Sequence, residues 1–372
     1  MKIASSLFLI CLVFVEAGCK TSHGASSVKK ASHDDNGGNQ IARFEIWLTS
    51  LDKTLEGAKT EDDAAKAFVN GSARIAAYHM QALGRMYQDQ DSWFKDTLRA
   101  EFEEVENTIG EYDKWNNILK AGPEIKPADQ PRMAGFCALN PGSSLSPGSR
   151  TKITNNCQEA VASVKTLLKK QDWFGSAKSR TDKIRKQLSK IDWKSAKKDR
   201  DQVLSHISDE LKEMKNNKYQ FKTLEKGLGL HEIRRDMKWI LLEMKTLNGL
   251  VLKDPKATCP VNAFMNVKDF FTPNLPNGAA NPRVKYDNLK PSEEEADPCY
   301  VTECLYLELV KSVDDFGTLK DSAEFQDNTG GSEASDDVPP DIKVKAEGFF
   351  KVIDDAKLFD RIHDEIKACV RG

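Results

Sequence analysis

Three features of this sequence predict an all-α fold. Apolar residues recur at helical spacing over long segments, and alternating runs of Val, Ile and Thr, the mark of strands, hardly occur. At 30% charged and 8% aromatic residues, the composition is that of a soluble globular chain after its first segment. With 372 residues it is long enough to bury a core of one large or two small domains.

The amino terminus reads as an export signal. Lys2 precedes an apolar run, Ile3 to Val15, that is too short to span a membrane as a mature helix. Ala17-Gly18-Cys19 resembles the end of a bacterial lipobox, which would make Cys19 the lipidated first residue; Glu16 departs from that pattern, and cleavage after Ala17 is the rival. Residues 1–19 are therefore assigned to the signal. Residues 20–40, rich in Ser, Gly, His and Asn, have the composition of a flexible tether. The expected location is a bacterial cell envelope, lipid-anchored in the periplasm, with secretion in soluble form as the alternative.

The folded part, residues 41–372, opens with a helix from Ile41 to Leu55. Thr60, followed by Glu-Asp-Asp, caps a second that runs to about Gln88. A third spans Ser92 to Leu119, with Leu98, Phe102, Val105, Ile109 and Tyr112 on one side. After a long loop, Asn155 or Asn156 caps a helix to Lys170, and Ser176 to Lys226 makes one long or two medium helices. Gly227 and Gly229 interrupt the chain before a helix from Leu230 to Val251. Asp254 to Pro298 reads as an elaborated loop. Helices from Tyr300 to Phe325 and from Ile342 or Lys343 to Val370 close the chain, separated by the linker DNTGGSEASDDVPP.

Outside the signal and its cleavage site there are six cysteines: Cys137, Cys157, Cys259, Cys299, Cys304 and Cys369. An even number in an exported chain implies three disulfides. Cys137 and Cys157 flank the loop NPGSSLSPGSR, so a bond between them would pin its base. The pairing of the other four is open. No Cys-x-x-Cys occurs, which argues against a thioredoxin-like site or a zinc ribbon.

Charge is uneven along the chain. The net charge is −2, yet Lys165 to Lys245 holds 22 Lys and Arg against 12 Asp and Glu. The balance argues against a specific nucleic-acid binder and for a basic middle within an acidic protein. At about 100° per residue, His231, Arg234, Arg235, Lys238 and Lys245 share one side of the helix beginning at Leu230. Ile233, Met237, Ile240, Leu241, Met244 and Leu247 form its core-facing side, and Glu232, Asp236 and Glu243 a third. On this reading the acids do not neutralise the stripe.

His231, Arg234 and Lys238, followed by Trp-Ile-Leu-Leu-Glu-Met, resemble the signature helix of the CHAD family, the conserved-histidine α-helical domains. The resemblance implies two pseudo-repeated antiparallel helical bundles, here with long Pro/Gly-rich, disulfide-pinned loops, and a basic groove that binds inorganic polyphosphate. The halves would span about 41–170 and 176–370. Gly110 with Asp113, and Gly317 with Asp321, are similar to a glycine and aspartate pair that the family carries in each half. Aligning Gly71 with His231 sets Arg74 opposite Arg234 and Tyr78 opposite Lys238, so the first half lacks the histidine; His79 lies on another side.

Catalytic patterns are absent: no His-Glu-x-x-His, no Gly-x-Ser-x-Gly, no phosphate-cradling or dinucleotide glycine loop. His363-Asp364-Glu365 lacks a second histidine one turn away, and the six tryptophans sit at helical positions suited to core or rim. No enzyme, cofactor or metal site is expected. Two functions remain open. In one, His231, Arg234, Arg235, Lys238, Lys245 and Arg74 bind polyphosphate or another polyanion. In the other, a structural or interaction envelope lipoprotein meets an acidic protein partner, or its own acidic half, through its basic region.

Overall fold

Local signals account for most helix starts and stops in the computed structural model, which describes residues 38–120, 135–174, 179–224, 227–247, 249–254, 298–329 and 337–371. The signal, Cys19 and most of the tether lie outside these residues. Helix α1, Gly38–Leu55, claims the last residues assigned to the tether. Thr60 stands in extended backbone and accepts from the Asp63 N–H while its own N–H donates back to the Asp63 carboxylate, starting α2, Glu61–Asn70. Such a reciprocal cap contributes about 1 kcal/mol. The expected run to Gln88 breaks at Gly71, where a Cβ would stand 2.5 Å from the Ala67 carbonyl oxygen. Helix α3, Ala73–Met86, follows.

A π-helical turn, Phe94–Arg99, leads into α4, Ala100–Lys120. The next helix, α5, Pro147–Lys170, begins well before Asn155. Ser146 accepts from the Ser149 N–H and Pro147 occupies the first turn, where its missing N–H costs nothing. Helices α6, Ser179–Leu188, and α7, Ala196–Asn216, divide the basic segment. Gly227 at φ +62 and Gly229 at the N-cap precede α8, Leu230–Thr246.

Helix α8 stops short of Val251. Val251–Asp254 forms a strand, β1, paired in parallel with β2, Cys299–Thr302. Tyr300 therefore lies in a strand, and α9 runs from Glu303 to Thr329. Helices α10, Pro340–Asp355, and α11, Leu358–Arg371, are separated where Lys357 takes φ 53. The class is all-α with one small two-stranded addition. No helix among the described residues is long and apolar enough to cross a membrane.

Helix α3 is the centre of the core. Its small residues Ala73, Ala76, Ala77 and Ala82 are fully buried, which lets it pack closely against α1, α4 and α8. At one end Phe44, Tyr87, Phe94 and Trp193 stack with ring centroids as close as 5.4 Å. The Cys137 and Cys157 bond forms as expected, Cys299 pairs with Cys369, and Cys304 is also disulfide-bonded.

Candidate functional site

Helices α3, α4, α7, α8 and α9 line a cavity of about 1170 Å³. Helix α8 brings His231, Arg234, Arg235 and Lys238 to its wall and α3 brings Arg74, so five of the six expected polyanion-binding residues meet. Lys245 does not. The cavity follows only the first turns of α8; beyond them the helix is packed on α3, where His79 Nδ1 meets the Thr246 hydroxyl.

The basic stripe is far less open than its spacing suggests. Among the described residues on the wall, eight are Lys or Arg and eleven are Asp or Glu. Arg74 donates to Asp113 at 2.7 Å and to Glu106 at 3.0 Å, both from α4. Arg235 is exposed and pairs with Glu232 at 2.6 Å on its own helix. Acids were expected to leave the stripe alone, but α4 and the adjacent turn of α8 supply them.

Lys238 is buried, only 8% exposed, and is not a solvated side chain. Its Nζ stands 3.0 Å from the centre of the Tyr78 ring. Burial and the charge of Arg234 push its pKa well down, against the opposing pull of Glu106. Burial raises the Glu106 carboxyl, but Lys238, Arg74 and the Tyr78 hydroxyl together hold it below its ordinary value. Burial also pushes Asp236 up to about 6 although Tyr219 donates to it at 2.7 Å.

Two glycines inside helices, Gly110 of α4 and Gly317 of α9, are explained by arginines. A Cβ on Gly110 would stand 2.8 Å from Arg74 Nη2, and one on Gly317 would stand 2.9 Å from Arg234 Nε. Each arginine thus lies flat on a helix that only glycine leaves open. In both, Nε is buried without a hydrogen-bond partner. Arg234 forms no ion pair among the described residues.

Sequence reasoning missed Arg85. It donates to Glu210 at 2.5 Å and to Glu243 at 3.1 Å, and its guanidinium lies 5.1 Å from the centre of the Trp239 ring. His206 faces the same carboxylates, and among these residues only His206 with Glu210 and Trp239 with Glu243 are close in sequence, each pair one turn apart. That spacing was the only available signal. His363, Asp364 and Glu365 do not converge, because Glu365 turns away to bond Thr302.

No family model, curated protein or solved structure matches the chain.

His79 is fully buried, its ring stacked 3.7 Å from that of Trp47. Burial, with Lys245 and Lys238 adding repulsion, pushes its pKa well below 6.5. Below that pH the unfolded chain takes up a proton that the folded chain refuses. Stability from this group is present above about pH 6.5 and is lost as pH falls, by at most about 1.4 kcal/mol per unit. Urea unfolding from pH 7.5 to 5 should show this slope, and His79→Gln should flatten it. An unchanged slope in the variant would assign the effect to other groups.

Proposed function

We propose that this chain is an exported, envelope-tethered helical binding protein that holds a compact anionic group, phosphate by preference, between Arg234 and Lys238. One observation carries the reading: both cations face the cavity, and neither forms an ion pair among the described residues. The CHAD resemblance supports it in one respect, since Arg74 and Arg234, aligned between the two proposed halves, each lie on a helix glycine. The tether through Cys19 rests on the amino-terminal sequence alone.

The wall favours a short ligand over an extended one. Arg74 and Arg85 already hold two carboxylates each, and an excess of acids repels a long polyphosphate chain. The same excess favours a second reading, an interaction lipoprotein whose basic residues are satisfied internally and which has lost polyphosphate binding.

Calorimetry with inorganic phosphate, tripolyphosphate and long-chain polyphosphate at 50 and 200 mM salt, conditions of about the range in which phosphate contacts are weakened, separates the two. Tripolyphosphate should bind with a salt slope of about two, no shallower than that of the long chain. Arg234→Gln should weaken it at least about 10-fold with stability changed by less than about 0.5 kcal/mol. Lys238→Met should also weaken it while raising stability by about 1 kcal/mol or more, because a buried charge is removed. Absence of binding for all three anions would leave the interaction reading.

A further inference from the structure

A second group of polar side chains, on the α7 and α8 wall, is unused by the anion reading. Glu243 is completely buried, and its Oε2 has no hydrogen-bond partner. Its Oε1 lies 3.3 Å from His206 Nε2, and Glu210 Oε1 lies 3.7 Å from the same nitrogen. One ligand atom from each of the three residues falls within 4.8 Å of the others. Ligands about 2.1 Å from a zinc or similar ion stand roughly 3 to 3.5 Å apart, so the two contacts to His206 Nε2 need little adjustment and the remaining pair must close by up to about 1.5 Å.

We propose that His206, Glu210 and Glu243 form a binding site for a divalent transition-metal ion such as Zn²⁺ or Mn²⁺. It goes beyond the anion reading and does not depend on it. The chemistry of the set selects the metal class: an imidazole with two carboxylates suits zinc or manganese and is a poor match to the all-oxygen shells of calcium.

Arg85 is the evident competitor, since it bonds both carboxylates. Its position leaves the site open. It takes Oε2 of Glu210, while Oε1 of that residue faces His206. On Glu243 it shares Oε1 with His206, and Oε2 is unclaimed. A metal ion between the three residues can therefore take Glu210 Oε1 while the guanidinium stays on Oε2, and Glu243 keeps one oxygen that Arg85 does not occupy. Arg85, held against Trp239, then orients both carboxylates from behind, as outer partners of metal ligands commonly do. Two carboxylates against one guanidinium leave an excess negative charge that a divalent ion satisfies.

The full chain, stripped with a chelator, should be titrated with Zn²⁺ and separately with Mn²⁺ by calorimetry, and bound metal counted after dialysis. The expected result is one ion per chain with micromolar or tighter affinity and a raised unfolding temperature. His206→Ala and Glu210→Gln should each weaken binding at least about 10-fold, and His206→Ala, at a residue away from the cavity wall, should leave phosphate affinity unchanged. Both residues are partly exposed, so these variants test the site even if Glu243→Gln does not fold. Zero stoichiometry for both ions, or undiminished affinity in His206→Ala, would overturn the assignment.

Discussion

Asp199→Ala is expected to cost about 3 to 5 kcal/mol of folding stability, a large share of the 5 to 15 kcal/mol typical of a domain. Asp199 and Arg43 are 3% exposed, and the guanidinium donates to Oδ2 at 2.8 Å. The Tyr87 hydroxyl donates to Oδ1 at 2.9 Å and accepts from Arg43 at 2.6 Å. This closed set joins α1, the end of α3 and α7. Deleting the carboxylate removes the buried anion 2.8 Å from a guanidinium in a low-dielectric interior, and that loss is the main cost. Burial pushes the Tyr87 hydroxyl pKa up, so it remains a donor throughout the working range. Chemical denaturation should show the loss, and the double variant Asp199→Ala with Arg43→Met should recover part of it. A single variant within about 1 kcal/mol of the parent would rule this account out.

Loss of the Cys299 and Cys369 bond is the second large effect. The two residues are 70 apart in sequence, so the bond restricts a long stretch of the unfolded chain. On the chain-entropy model this contributes about 4 kcal/mol, against about 3 kcal/mol for Cys137 and Cys157 at a separation of 20. The longer-loop bond also ties β2 to α11, which packs on α7. Replacing both Cys299 and Cys369 by serine should therefore lower the denaturation midpoint more than replacing Cys137 and Cys157. The reverse order would show that native-state contacts, and not loop closure, set the contribution.

Features set at short range were legible in the chain. Helical period, the Thr60 cap, the glycines before Leu230 and the pairing of Cys137 with Cys157 are written in neighbouring residues, because caps, turns and a short disulfide loop involve only nearby chain. The early start of α5 was equally local: Ser146 and Pro147 carry an N-cap signal that a Pro/Gly/Ser reading of the segment obscured. His231, Arg234, Arg235 and Lys238 reach one cavity because successive turns of one helix side face one direction.

What those cations touch was decided only by tertiary structure. Helical spacing places Arg74 on a face but cannot say that α4 will set Glu106 and Asp113 against it, or that Tyr78 will cover Lys238. Arg85 and Glu243, 158 residues apart, become partners solely because α3 packs on α8. The parallel pairing of β1 with β2 likewise joins segments on either side of a long insertion. In each case the interaction depends on which surfaces pack together, and a one-dimensional pattern contains the period of a surface without its partner.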